Sequence, residues 1–374
     1  MAKSHAPNQS RPMKLLVALV TLALLAGLGT VLYMNRSSAE LHVGNTPNSA
    51  HPAAAPATDA QPDPKPRMVV AVSIDGLNPE AFNKLEQKSS PNFTTLLTQG
   101  ASTLNARSSA QSTKTLPNHT GMLTGREVRD PAGHGVTQNK DNGSTLEADN
   151  DDYVPSIFDI AHDRGLATAF YAEKDKFSYL ARSWNGTNGA PDSIGEDDGR
   201  NKIDRTAIAD APIIVRLAAE RIKQQDTDFV FLHLSGGDAA GHEHGWLGFE
   251  YLTALTEIDK QLGTLMAAAA ESERPVTFVI TSDHGGAVGR KQHRTATKLA
   301  NARVPFITFG DGIGVGKDLY ALNPGRHDPH NEVANGPQSR PIRNLDLANV
   351  SLGLLGLPLT PGTASSSWPS LSLS

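Results

Sequence analysis

Apolar residues along this chain fall into blocks of different kinds. Residues 15–34 are twenty in a row without a charge, long enough to span a bilayer. Over 35–67 that pattern dissolves into Pro47, Pro52, Pro56, Pro62, Pro64 and Pro66 set among Ala, Asn and Asp, the composition of a semi-extended linker. From Met68 onward the apolar runs are short: 68–74, 167–171, 228–234, 276–280 and 304–309. Each is apolar on nearly every position, as strands buried on both faces are. Between them lie amphipathic stretches at 207–224 and 247–271, and a last one at 344–355 is stopped by Gly356 and Pro358. Strands alternating with helices predict an α/β domain, a large mostly parallel sheet flanked by helices on both faces. Residues 140–152 and 183–202 are polar and rich in Gly and Asn and read as surface loops. The Ser-rich stretch 361–374 reads as a frayed tail.

The flank of the first apolar run sets an expected topology. Lys3, Arg11 and Lys14 precede it with no acid, which predicts a cytoplasmic segment at 1–14, a transmembrane signal anchor at 15–34 and export of the remainder. A cleaved signal peptide, with Ser37, Ser38 and Ala39 at the cleavage site, is the rival; both place the body of the chain outside the cytoplasm. A formal net charge of −5 with no long basic run gives no footprint for binding nucleic acid. Cysteine is absent, so disulfides and thiolate metal sites are excluded and any metal must take N and O ligands.

Parallel α/β sheets bind ligands at the carboxyl ends of their strands, and three of the five runs carry acids or His there. The first ends at Asp75-Gly76. The third ends in a Gly-rich loop with Asp238, His242 and His244, and the fourth in Asp283-His284-Gly285-Gly286 with His293 shortly after. Asp75, Asp238, His242, Asp283, His284 and His293 make three carboxylates and three imidazoles. Shared between two ions they give three protein ligands each, the count of a catalytic zinc with an open position. His327 and His330 compete with His293 for the third imidazole. A candidate nucleophile is Thr115: Pro117 favours a first helical turn, placing Thr115 at or near a helix start where N–H groups stabilise an anion. A plain N-cap is the competing role for that threonine.

In order and spacing, Ser73-Ile74-Asp75-Gly76, Thr115-Leu116-Pro117-Asn118-His119, Thr124-Gly125, His134-Gly135, Asp238-Ala239-Ala240-Gly241-His242 and Asp283-His284-Gly285-Gly286 resemble the alkaline phosphatase superfamily. Within it they resemble the type I phosphodiesterase/nucleotide pyrophosphatase branch, over about Met68 to Pro358. The resemblance implies that Asp238, His242 and His293 bind one zinc while Asp75, Asp283 and His284 bind the other. It implies Thr115 as nucleophile, held as an alkoxide on the second ion, and Asn139 with the Leu116 N–H as the binders of a phosphoryl oxygen. It departs from nucleotide-cleaving members in having Leu116 where they place a base-stacking Phe. It also has eight residues, 285–292, where they carry a large insertion before the last His. The expectation is an extracytoplasmic, membrane-tethered hydrolase of small phosphate esters, with a phosphodiesterase domain at 68–360 using two divalent ions, zinc foremost. A phosphomonoesterase or phosphonate hydrolase on the same site is the alternative. A catalytically silent binding module would need a broken ligand set, and none is seen.

Overall fold

The computed structural model describes residues 66–129, 131–334, 339–364 and 370–374. The expected cytoplasmic segment, the anchor at 15–34 and all but the end of the linker lie outside the described residues. Among those described, no helix is long and apolar enough to cross a membrane.

Eight strands form one sheet: β1 (Met68–Ile74), β2 (Ala101–Arg107), β3 (Thr168–Ala172), β4 (Arg205–Ile208), β5 (Phe229–Leu234), β6 (Val276–Thr281), β7 (Arg303–Gly310) and β8 (Lys317–Asp318). Their order is β4-β3-β5-β1-β6-β7-β2-β8. The five apolar runs are β1, β3, β5, β6 and β7. Every pairing is parallel except those of β7, which runs against β6 on one side and β2 on the other. The sheet is therefore mostly parallel, as expected, and is made mixed by the one reversed strand, β7. A parallel return needs a crossover of a dozen or more residues that carries the chain back to the starting edge. The link from β6 to β7 instead stays at the edge it left, with one four-residue helix near its end.

Three strands carry no apolar run. In β2, Ala101, Thr103 and Ala106 are buried while Ser102, Leu104 and Asn105 are only half-buried, β4 has four residues and β8 two. The helices are α1 (Pro91–Gln99), α2 (Thr115–Thr124), α3 (Leu146–Asn150), α4 (Ile157–His162), α5 (Ser178–Ser183), α6 (Ala211–Gln224), α7 (Gly236–His244), α8 (Phe249–Ala270), α9 (Leu299–Ala302), α10 (Leu319–Leu322) and α11 (Asp346–Leu354). The helix expected from 207 begins at Ala211, because Ala207 and Ile208 pair with β3 and Pro212 occupies the first turn. The stretch 140–152, expected to be loop, holds α3, whose N-terminus is capped by the Thr145 hydroxyl accepting from Ala148 N.

β1 is buried on both sides of the sheet. Val69 and Ala71 point into a core with Leu116, Met122, Phe158 and Leu347, from α2, α4 and α11. Met68, Val70, Val72 and Ile74 point into another with Phe93, Leu96, Ile214, Tyr251 and Leu255, from α1, α6 and α8. Two regions expected at the surface are tied to this body. The loop over 183–202 ends in fully buried Lys202, whose ammonium donates to Asp163 Oδ1 (2.9 Å), Gly199 O (3.0 Å) and Asp192. The tail, expected to fray, returns at its end: Leu371 and Leu373 pack on the first core, and Gly314 N donates to Leu373 O at 2.7 Å.

Candidate metal centre

The cluster is assembled at the carboxyl edge of the central strands. Asp75 directly follows β1, and Gly76 turns the chain with φ 71°; a Cβ there would lie 3.0 Å from the Asp238 Cα. Glycine therefore lets the end of β1 and the start of α7 touch. Since α7 starts two residues after β5, Asp238 falls in its first turn and His242 one turn later, with His242 Nε2 3.3 Å from Asp238 Oδ1. Asp283 and His284 leave β6. His293 is anchored on the residues before α2, where its carbonyl accepts from Thr113 Oγ1 (2.6 Å) and its Nδ1 lies 2.8 Å from Thr113 O.

All six candidate ligands converge. His284 Nε2 lies 3.3 Å from Asp75 Oδ1, 3.3 Å from Asp283 Oδ2 and 3.7 Å from Asp238 Oδ1. His293 Nε2 lies 3.6 Å from Asp238 Oδ1 and 3.1 Å from His242 Nε2. Ligand atoms of Asp75, Asp283 and His284 lie within 4.8 Å of one another, and so do those of Asp238, His284 and His293. His284 is thus within reach of both halves; its shorter distances are to Asp75 and Asp283. His327 and His330 are both exposed and stand outside the cluster, His330 Nδ1 facing Asp328 at 3.7 Å.

Hydrogen bonding sets the tautomers. The Nδ1 atoms of His242, His284 and His293 each lie 2.8 Å from a backbone carbonyl, those of Lys291, Gly285 and Thr113. A carbonyl only accepts, so Nδ1 carries the hydrogen and Nε2 faces the cluster, the orientation of metal-binding imidazoles. Asp75 Oδ1, Asp238 Oδ1, Asp283 Oδ2 and His284 Nε2 are all buried and lack a hydrogen-bond partner. Buried polar atoms ordinarily have partners, and here four orphans face one another. A group of divalent cations fits that donor set of carboxylate oxygens and imidazole nitrogens.

Charge crowding shifts the proton affinities of these groups. Burial, then the neighbouring Asp75 charge, pushes the Asp283 carboxyl up to about 8. For His284, burial is outweighed by Asp283, Asp75 and Asp238, which raise it to about 9. Burial and the adjacent His284 lower His293 to about 2. Burial alone would raise Asp75, but the Lys174 charge, the bond from His233 and the nearby His284 imidazole hold it well below the ordinary carboxylate value.

Thr115 is the first residue of α2, one place inside Lys114, which caps without a side-chain bond. Its carbonyl lies 2.8 Å from His119 Nδ1, and that nitrogen is 3.9 Å from Asp283 Oδ2. Two residues before it, Thr113 holds His293. Asn139 Oδ1 accepts from Leu116 N at 2.9 Å, so these two groups meet at the start of α2. A hollow of about 650 Å³ beside Asn105, Arg303, Lys317 and Asp328 is lined by none of the six ligands.

Four supporting residues were given no role from sequence, His119 among them although it stands in a quoted motif. Lys174 Nζ lies 2.6 Å from Asp75 Oδ2 and 2.5 Å from Asp238 Oδ2. His233, inside β5, approaches Asp75 Oδ2 at 3.1 Å. His119 Nε2 meets Ser73 Oγ at 2.8 Å. Trp246, fully buried, lies edge-on to His242, His284 and His293, with ring centroids 5.3, 6.3 and 5.4 Å away. Of these, Lys174 carried a readable signal, since it follows an apolar strand as the ligands do.

Fold and cluster together define a class, α/β proteins with a carboxylate and imidazole centre at the carboxyl edge of a largely parallel sheet. Residues 69–343 match the family described as type I phosphodiesterase / nucleotide pyrophosphatase, and the chain belongs to that family. It is 30% identical over 143 residues to GPI ethanolamine phosphate transferase 1 of Yarrowia lipolytica, which is 36% of this chain and 14% of the relative. The match thus spans far less than the relative's own length. Its fold is similar to murine ectonucleotide pyrophosphatase / phosphodiesterase 5, with a TM-score of 0.57 at 16% identity, covering 82% of this chain and all of that one. It is also similar to the C-terminal periplasmic domain of EcEptC from Escherichia coli, with a TM-score of 0.51 at 14% identity over 79% of this chain and 83% of that one.

Proposed function

We propose that this chain is an extracytoplasmic two-metal phosphodiesterase acting through Thr115, tethered to a membrane by residues 15–34. The observation that carries the reading is the set of four buried, unpartnered donor atoms turned toward one another beside the start of α2. Asp75, Asp283 and His284 would hold one ion and Asp238, His242 and His293 the other, zinc suiting the N and O donors. Ions bound there supply Lewis acidity, which lowers the pKa of a bound hydroxyl and offsets charge on a phosphoryl group.

The chain's own groups do the remaining work. Thr115 Oγ1 attacks phosphorus in line, the ester oxygen leaves, and water later cleaves the phosphothreonine. Leu116 N and the Asn139 side chain meet one phosphoryl oxygen at the helix start, the amide turning from Leu116 to donate its own N–H. Both groups are neutral, and the Lys174 charge is already matched by two carboxylates. That suits the single charge of a diester better than a monoester dianion. Likeness to GPI ethanolamine phosphate transferase supports a second reading, in which an alcohol rather than water relieves the phosphothreonine.

The test uses bis-p-nitrophenyl phosphate with the full chain. Chelation is expected to abolish turnover and zinc to restore it, Thr115→Ala to remove nearly all activity and Thr115→Ser to keep a substantial part. Full activity in metal-free protein, or wild-type kcat in the alanine variant, refutes the assignment. Addition of a primary alcohol, with ester product measured beside phosphate, separates transfer from hydrolysis.

A further inference from the structure

Lys174 stands two residues beyond β3 and reaches across the carboxyl edge of the sheet. Its ammonium lies 2.6 Å from Asp75 Oδ2 and 2.5 Å from Asp238 Oδ2, and the side chain is only 20% exposed. Asp75 directly follows β1 and Asp238 lies in the first turn of α7, so one side chain joins two separately delivered carboxylates. In each, Oδ2 faces the lysine while Oδ1 is buried, without a hydrogen-bond partner, on the side of His284 Nε2. Asp75 Oδ2 is held a second time by His233 Nε2 at 3.1 Å.

A carboxylate fixed by its outer oxygen has lost the freedom to swing, and it presents one oxygen in one direction. A free carboxylate can turn both oxygens on a single ion or point away, so holding it removes an ordering cost from metal binding. Because the same ammonium grips both aspartates, an ion that orders Asp75 also orders Lys174, and through it Asp238. Lys176 lies nearby but makes no hydrogen bond or ion pair with either carboxylate among the described residues, which separates grip from simple charge.

We propose that Lys174 is a positioning residue that couples the two metal positions, holding Asp75 for one ion and Asp238 for the other so that filling one favours filling the other. This rests on the two-ion reading above. Coupling between linked sites commonly spans about 5- to 150-fold. At about tenfold, two sites of equal intrinsic affinity leave roughly a quarter of the chain in the one-ion form at half-saturation, against about half when independent.

The test is native mass spectrometry of the full chain in detergent, stripped of metal and titrated with zinc, counting chains with no, one and two ions. Wild type is expected to pass from none to two with the one-zinc form a minority. In Lys174→Met the one-zinc form is expected to dominate at one equivalent, Lys174→Arg should restore the wild-type pattern, and Lys176→Met should leave it unchanged. A Lys174→Met titration identical to wild type overturns the proposal. So does a wild-type chain that accumulates the one-zinc form, which needs no variant to fold. A chain that never takes a second zinc refutes the two-ion reading itself, whereas two ions bound independently refute only the coupling.

Discussion

His134 gives a quantitative test of how the structure handles buried charge away from the metal cluster. It is 1% exposed, its Nδ1 accepts from Val136 N at 3.1 Å, and its amide donates to Glu127 O at 2.9 Å. Burial, reinforced by the positive charge of Arg126, lowers its pKa to about 3. The ordinary value is about 6.5, so the folded state binds this proton more weakly than the unfolded chain does. Its stabilising contribution is therefore complete above the unfolded value and is lost as pH falls below about 6.5, down to the folded value. At about 1.36 kcal/mol per unit, the loss between pH 7 and pH 5 is about 2 kcal/mol, a large part of the ~5–15 kcal/mol that holds a domain. His134→Asn keeps an acceptor for Val136 N and cannot titrate. Urea unfolding at pH 7 and pH 5 should show wild type losing about 2 kcal/mol more than the variant. Other buried imidazoles, His119 and His233 among them, are common to both proteins and cancel. Equal losses in the two proteins would refute the assignment of a buried, neutral His134.

Three further outcomes follow from particular contacts. Gly286→Ala places a Cβ 2.2 Å from the Trp246 ring, which is fully buried and fixed by its Nε1 bond to Gly76 O at 3.0 Å. The variant should lose about 2 kcal/mol of stability by overpacking and release zinc at lower chelator concentration, and a variant normal in both respects contradicts that packing. Asp259, 1% exposed on α8, accepts from Phe93 N at 2.6 Å and Asn92 Nδ2 at 2.9 Å at the start of α1. Asp259→Ala should cost about 3 kcal/mol in urea unfolding, since a buried N–H loses a charged acceptor, with kcat of the loaded enzyme unchanged. For substrate choice, kcat/KM should be higher for bis-p-nitrophenyl phosphate than for p-nitrophenyl phosphate on one zinc-loaded preparation. A monoester preference would overturn the phosphodiesterase reading and leave the metal centre standing.

The cluster was legible because buried strands declare themselves as apolar runs and the chain places charge immediately past their ends: Asp75 after β1, Asp238 after β5, Asp283 and His284 after β6. What escaped had no such contrast. β2 reads Ala-Ser-Thr-Leu-Asn-Ala-Arg and is held in place by β7 and β8, partners that only the folded sheet supplies. Lys202 looks like a loop cation until Asp163 and Asp192 close around it. The strand-end rule does reach Glu173 and Lys174 after β3, but it does not say which of the two turns inward. The fold makes that choice: the Glu173 carboxylate accepts from Ala211 N at 3.2 Å and from Ser235 N, joining the starts of α6 and α7. Lys174 is left facing Asp75 and Asp238. The acid thus serves backbone donors while the base serves the carboxylates, a division that the chemistry of each residue permits and that the partners found across the sheet select.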